Sequence, residues 1–153
     1  MYGIQIIDQA VSAIRRQWED SQDVIIDALQ PETPSMEQYV RIMGIEFRCL
    51  VENEINGTNI LRIEEKSKSC MGTYKGPVIL VARYVQPSVY GTLRKMELNF
   101  ADTAGNYNIQ YTKGRKVIFH LSHTGEKAPV NNNKNYPIFQ EAGLKVIFYL
   151  LQA

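Results

Sequence analysis

The sequence has few of the features that place a protein in a class at once. No apolar run among its 153 residues approaches the ~20 residues that a transmembrane helix requires. Its N-terminus lacks the basic start, continuous apolar core and small-residue cleavage site of a secretory signal. We therefore expect synthesis in the cytoplasm and no association with a membrane.

Cysteine and histidine are scarce. Cys49 and Cys70 are far apart and form no Cys-x-x-Cys pair, which in a cytosolic protein favours two separate reduced thiols. His120 and His123 have only two residues between them, whereas a zinc finger needs at least three, with paired cysteines shortly before. The sequence thus predicts no metal ligands and no cofactor.

Catalytic signatures are also missing. No Gly-rich loop follows a predicted strand and opens a helix, and no nucleophile motif is present. Carboxylates occur close together at Glu52 and Glu54, and again at Glu64 and Glu65. Acid–base catalysis needs one carboxyl with a raised pKa in a cleft. We interpret these residues as solvated strand faces and predict that the protein is not an enzyme.

The net charge of +1 hides an asymmetry between the two halves of the chain. Residues 1–76 contain 8 basic and 12 acidic side chains, whereas residues 77–153 contain 9 and 4. The halves therefore have net charges of −4 and +5. Either they neutralise each other within one fold, or they attract neighbouring copies head-to-tail in a ring or stack.

The N-terminal region has the apolar spacing of an amphipathic helix. Spacings of 3, 4, 3 and 4 separate Ile4, Ile7, Val11, Ile14 and Trp18. Residues 24–29 extend the pattern after a polar stretch, so the sequence predicts a helical segment over residues 1–30, as one helix or two. Pro31 ends it.

From Gln38 onward the apolar period changes to two, which is typical of β-strands. The Asn56-Gly57 pair predicts a hairpin turn whose return strand covers residues 59–65. The other predicted strands are 45–52, 78–85, 92–100, 107–112, 116–121 and 144–151. Of these, 78–85 is apolar on both faces for most of its length, and 144–151 is apolar on both faces, which favours the middle of a sheet for the last strand.

These elements predict an α+β, mainly β fold in a single domain over residues 1–153. Its body, residues 38–151, is an antiparallel β-sandwich or partly open barrel of about seven strands, on which the N-terminal helical segment packs. Because strands and helices do not alternate in the prediction, parallel α/β folds are disfavoured.

A structural or assembly role agrees best with this pattern. We expect a homo-oligomer or a component of a larger particle, such as a phage tail, connector or capsid, by analogy of architecture alone. The predicted loop 122–135 is long enough to have a function. The expected partners are copies of the chain or other assembly proteins, contacted by Arg15, Arg16, Trp18, Asn131, Asn132, Asn133 and Tyr136.

Two alternatives stay open. One is a monomeric β-sandwich module that binds a ligand among Tyr84, Tyr90, Tyr107, Tyr111 and Tyr136. The other is a single-stranded nucleic-acid binder, because basic residues at 94–95 and 113–116 lie near Tyr107 and Tyr111 in the sequence. The low net charge disfavours the second.

Overall fold

The structure is a computed structural model that describes residues 3–18, 26–29 and 37–128. Within these residues the chain forms three α-helices, seven strands and a short 3-10 turn at Pro87–Val89. The helices are α1 (Gly3–Gln17), α2 (Ile60–Thr73) and α3 (Tyr90–Lys95). The strands are β1 (Ile26–Leu29), β2 (Tyr39–Ile42), β3 (Ile45–Ile55), β4 (Val78–Val85), β5 (Asn99–Asp102), β6 (Tyr107–Lys113) and β7 (Lys116–His123).

All the described strands belong to one mixed sheet, whose spatial order follows the chain from β1 to β7. The pairs at both ends of the sheet are antiparallel, whereas β3, β4 and β5 run parallel. Helices α2 and α3 make the two crossovers that parallel neighbours require. The expectation that strands and helices do not alternate is therefore wrong in the middle of the chain.

The sheet curls into a half-barrel. Helix α1 packs against β1, β3, β4 and β5, and its apolar stripe, including Ile7, Val11 and Ile14, is buried there. Tyr111 of β6 contacts Phe47 of β3 in the same core, with ring centroids 6.3 Å apart. This face is therefore the concave one. A sandwich needs a second sheet, and the described strands form only one.

A second core lies on the convex face, beneath α2 and α3. Strand β4 separates the two cores, because Ile79 and Val81 face α1 whereas Leu80 and Ala82 face the opposite side. The prediction that residues 78–85 are apolar on both faces is thereby confirmed. Cys49 and Cys70 are both buried and unpaired, one in each core.

The hairpin predicted at Asn56-Gly57 is wrong, because α2 begins there. The Asn56 side-chain oxygen accepts hydrogen bonds from the backbone N–H groups of Thr58 (2.9 Å) and Asn59 (3.1 Å). The side-chain Nδ2 of Asn59 donates to the backbone carbonyl of Glu54 at 2.7 Å. The bonds accepted by Asn56 form a turn over residues 56–59, after which the chain enters α2 at Ile60 and not a return strand.

The helical period of α2 was hidden by a polar residue. Ile60, Ile63, Ser67 and Cys70 are the buried positions of this helix, at spacings of 3, 4 and 3 that match its period. Ser67 is polar although it is buried, and Leu61 is apolar although it is exposed. The apolar and polar residues between 59 and 65 therefore alternate as they would in a strand, and the helical spacing was missed. A hairpin that was not predicted joins β2 to β3 through Met43 and Gly44, whose φ angles are 52° and 82°.

Two further predicted elements are corrected. Residues 26–29 form β1, paired antiparallel with β2, so the helical segment predicted over 1–30 ends earlier; residues 19–25 lie outside the described part. Residues 92–100, predicted as a strand, contain the end of α3 and the start of β5. The predicted strand 144–151 lies outside the described residues.

Candidate functional site

The two edges of the described sheet differ. Strand β1 has four residues, and Arg15 of α1 lies against it. The Arg15 Nε donates to the Ile26 carbonyl at 2.8 Å, and its guanidinium forms an ion pair with Asp27. A short strand covered by a charged side chain is one of the ways in which proteins protect a sheet edge.

Strand β7 is long, and within the described residues its outer side is unpaired. It has eight residues, all exposed or half-exposed, and no strand in the described part of the chain pairs with its outer side. Val117 is 50% exposed and Ile118 is 48% exposed. The strand has no proline, and Lys116 at its start is its only lysine or arginine. We call the outer side of Lys116–His123 the β7 edge.

The inner side of β7 is held firmly. It pairs with β6 from Lys116 to His123, with a shift in register at Ile118, between the pairs Tyr111–Phe119 and Thr112–Val117. Phe119 and Leu121 pack on the concave core. The residues that follow are anchored too, because Asn106 Oδ1 accepts from the Glu126 N–H at 2.8 Å and its Nδ2 donates to the Glu126 carbonyl at 3.0 Å. The predicted loop 122–135 therefore starts after β7, and residues 129–135 lie outside the described part.

The carboxylate of Asp102 fixes the backbone around Asn106, which in turn holds Glu126. The Asp102 carboxylate accepts hydrogen bonds from the backbone N–H groups of Val85 (3.0 Å), Ala104 (3.0 Å) and Asn106 (2.9 Å). Burial nevertheless raises the pKa of the carboxyl, because loss of hydration outweighs the hydrogen bonds from Asn106, Val85 and Ala104. Its oxygens are occupied by local backbone groups, which indicates a structural role.

A polar cleft of about 520 Å³ lies beside α3, β6 and β7 on the convex face. His120 Nε2 and Asn108 Oδ1 are 2.8 Å apart, and Asn108 is only 8% exposed. Asn99 Oδ1 accepts from the Gln110 N–H at 2.8 Å. The cleft is lined by Arg94, Glu97, Leu98, Asn99, Asn108, Gln110, Thr112, Gly114 and His120.

The polar cleft offers hydrogen-bonding groups and one guanidinium, but no arrangement for nucleophilic catalysis. Its lining contains no serine, cysteine or lysine, and the one hydroxyl is that of Thr112. A triad-like site needs a nucleophile, a base and a group that orients the base. The geometry allows binding of a polar ligand.

The predicted contact residues are dispersed. Arg15 covers β1, and Trp18 donates from Nε1 to the Tyr107 hydroxyl at 2.7 Å. Arg16 is exposed and lines a shallow depression beside Asp8 and Thr103. Asn131, Asn132, Asn133 and Tyr136 lie outside the described residues. Contact of these seven residues with a partner stays a prediction.

The tyrosines do not line one concavity. Tyr107 and Tyr111 pack with the concave core, whereas Tyr90 stacks on Phe100 in the convex core at 5.5 Å. Tyr84 is also buried, beside Asp102 and Tyr90. Tyr136 lies outside the described residues. Arg94, in the polar cleft, is likewise separated by the sheet from Tyr107 and Tyr111.

Of the four glutamates in the two pairs, Glu52 and Glu64 form ion pairs, and Glu64 and Glu65 lie on a helix. Glu52 is held by Arg62 at 3.0 Å and by Lys66 at 3.3 Å, and 10% of its side chain is exposed. Glu64 and Glu65 belong to α2, where Glu64 pairs with Lys68 at 3.4 Å. The interpretation as solvated strand faces is therefore wrong for Glu52, Glu64 and Glu65.

Comparison with known proteins gives no family. No protein-family model, curated protein or solved structure matches this chain. Within residues 3–18, 26–29 and 37–128, no group of three His, Cys, Asp or Glu side chains has the geometry to hold a metal ion. Nor does any helix in those ranges combine the length and apolar character needed to cross a membrane.

Proposed function

We propose that this protein is a non-enzymatic assembly protein, which forms a homo-oligomer or a component of a larger particle by strand pairing at the β7 edge. The observation that supports this proposal is the contrast between the covered β1 and the open β7. An exposed edge of this length is a template for another strand.

Two contributions to the free energy would favour strand pairing at the β7 edge. Backbone hydrogen bonds along an eight-residue strand would satisfy donors and acceptors that now face outward, each contributing about 1 kcal/mol net. Burial of Val117 and Ile118, which are now about half exposed, adds apolar area removed from water. Since β7 is already held by β6 and the concave core, little ordering of this strand opposes the association.

A further strand at this edge would also extend the half-barrel toward the partly open barrel with α1 packed inside it. As the particle we favour a virion component, such as a tail, connector or capsid protein. Such particles are built by repeating one contact between many copies, and the open edge provides such a contact. Synthesis in the cytoplasm belongs to the same proposal.

The test is the native mass of the full chain by size exclusion with light scattering. We expect a discrete multimer of the 17.5 kDa chain. Ile118→Lys should shift it toward the monomer, because a charge placed at a strand edge opposes pairing. The matched control is Leu61→Lys, since Leu61 is a 69% exposed apolar residue on α2, far along the chain from β7.

Two results would contradict the proposal. One is a monomer at every protein concentration and salt concentration, without any recovered partner protein. The other is a multimer that Ile118→Lys and Leu61→Lys leave equally intact, because the contact would then lie elsewhere.

A second candidate function, small-ligand binding, is favoured by the polar cleft. The His120–Asn108 hydrogen bond (2.8 Å) fixes two side chains in its lining, and Arg94 provides a positive charge suited to anions. Titration with inorganic phosphate, followed by NMR of the His120 ring, tests it. Shifts that saturate and that Arg94→Gln abolishes would support binding, whereas an unchanged spectrum would exclude a phosphate-like ligand.

A further inference from the structure

We infer that the strand which pairs with the β7 edge is the segment Leu144–Leu151 of a second copy of this chain. This inference rests on the proposed assembly at β7 and names its partner. Two independent observations support it. One is a strand edge that is unpaired within the described residues, and the other is a segment of the sequence that is apolar on both faces.

The segment has the chemistry of an inserted strand. Seven of its eight residues are apolar or aromatic, and Lys145 is the exception. If extended, it places Leu144, Val146, Phe148 and Leu150 on one face, and Ile147, Tyr149 and Leu151 on the other with Lys145. Exposure of both faces to water is unfavourable, whereas a position in a sheet between two packed layers covers both.

The β7 edge matches this segment in length and in the character of its faces. Both have eight residues. On the concave side, Phe119 and Leu121 already pack on the core, so the face beginning at Leu144 would continue that apolar layer. On the convex side the exposed Ile118 would lie beside the mixed face that contains Lys145.

The connection is long enough to reach a neighbour. Glu126 is tied to Asn106, and residues 129–143 separate the last described residue, Ala128, from Leu144. These 15 residues span up to about 50 Å when extended, about twice the ~27 Å length of an eight-residue strand. The choice of a second copy follows from the proposed assembly at the β7 edge, because a strand of the same copy would cover that edge and leave no contact for a neighbour.

The consequence is repeated exchange. Each copy offers one edge and one segment, so each contact leaves the next edge ready for another copy. Such a heterologous contact closes into a ring when the rotation allows, or a reciprocal pair forms when two copies exchange both segments.

Cysteine cross-linking in the full chain tests the inference. Ile118→Cys in one tagged copy is co-expressed with Ile147→Cys in a differently tagged copy, and Lys145→Cys and Tyr149→Cys, on the same face as Ile147, sample neighbouring registers. We expect a disulfide between the two tags in at least one register, since bridged residues need Cα atoms within about 7 Å. Leu61→Cys in place of Ile118→Cys is the control, and Cys49 and Cys70 are buried.

The outcomes separate the two proposals. Ile147→Pro and Phe148→Pro together sample both hydrogen-bonding sides of a strand, and at least one should reduce the multimer as Ile118→Lys does. A multimer sensitive to Ile118→Lys but to neither proline, with no cross-link between tags, overturns the exchange and leaves assembly at β7 standing. If Ile118→Cys and Ile147→Cys are placed together in one chain, a monomer in which they bridge within that chain overturns both.

Discussion

The rings of Phe47 and Phe119 lie 6.3 Å apart, although three strands separate β3 from β7 in the sheet. In a flat sheet four strand spacings would place them about 19 Å apart. The contact exists because the sheet curls around α1, so side chains on its concave face converge. Among the described strands, β7 therefore forms one rim of the half-barrel, and the concave core positions it.

Phe47 is expected to be central to this curl. It is fully buried and contacts both Tyr111 and Phe119. Phe47→Ala should lower the free energy of unfolding by about 3–5 kcal/mol, because it removes a large core side chain and leaves a cavity. Urea denaturation followed by circular dichroism measures this. Leu61→Ala, at an exposed apolar position, is the control, and equal effects of the two changes would contradict the packing described.

Glu97 occupies a backbone conformation that favours glycine. Its φ angle is 58°, and the bonds Glu97 N–H to Arg94 carbonyl and Leu98 N–H to Leu93 carbonyl, both 3.0 Å, form a Schellman end for α3. Glu97→Gly should raise the free energy of unfolding by about 1 kcal/mol, because glycine adopts this conformation without a Cβ clash.

The matched change for this position is Glu97→Ala, which removes the carboxylate but keeps the Cβ. Thermal and urea unfolding should show little gain for alanine. If both variants are stabilised equally, the cause is the glutamate side chain, not its backbone conformation.

Asp102 should make stability depend on pH in an unusual direction. Burial raises the pKa of its carboxyl above the ordinary 3.8, so the folded state favours the protonated acid. Its contribution to stability is therefore fully present below pH 3.8 and is lost as the pH rises through the folded-state pKa.

The measurement compares the wild type with Asp102→Asn by urea unfolding at several pH values. The variant places an amide N–H₂ against backbone donors, so a buried group is left unsatisfied. Its free energy of unfolding should therefore be lower than that of the wild type by about 1–3 kcal/mol at every pH tested. The difference in free energy of unfolding between the wild type and Asp102→Asn should be larger at acid pH than at neutral pH. Asp8→Asn, at an exposed position of α1, controls for the loss of a carboxylate. A difference in free energy of unfolding that grows as the pH rises would contradict the predicted direction of the pH dependence.

The Cys49 thiol should be unreactive in the native protein. Burial raises its pKa to about 12, and the thiolate is the nucleophile in reactions with disulfide reagents. With Cys70 also buried, a colorimetric thiol assay at pH 8 should detect no rapid native reaction, and two thiols per chain after unfolding in denaturant. A full equivalent that reacts at once in the native state would show that one of the two sites is open.

The strands that were predicted well are those whose burial is visible in their own composition. Residues 78–85 coincide with β4 because both of its faces are apolar, and residues 107–112 fall within β6 because Tyr107, Ile109 and Tyr111 alternate with polar residues. Prediction failed at residues 59–65, 26–29 and 92–100. In those places a short pattern was compatible with helix or strand, and neighbouring elements decided between them.

The candidate site could be predicted only in part. The β7 strand was expected at residues 116–121, but nothing in its pattern indicates that it forms an edge. His120 and Asn108 are 12 residues apart in the chain, and Arg94 is farther away, so their meeting in one cleft has no local signal. Arg15 was expected to contact a partner, and the structure places it on β1.

The sequence by itself determined the amphipathic character of the first helix, the doubly buried β4, the two unpaired cysteines and the opposite charges of the chain halves. These properties depend on side-chain type and local spacing. The tertiary structure alone decided that the middle strands run parallel, that the sheet curls, and that, among residues 3–18, 26–29 and 37–128, β1 is covered while the outer side of β7 is unpaired. Those features depend on the packing of residues distant in the chain, which local periodicity does not encode.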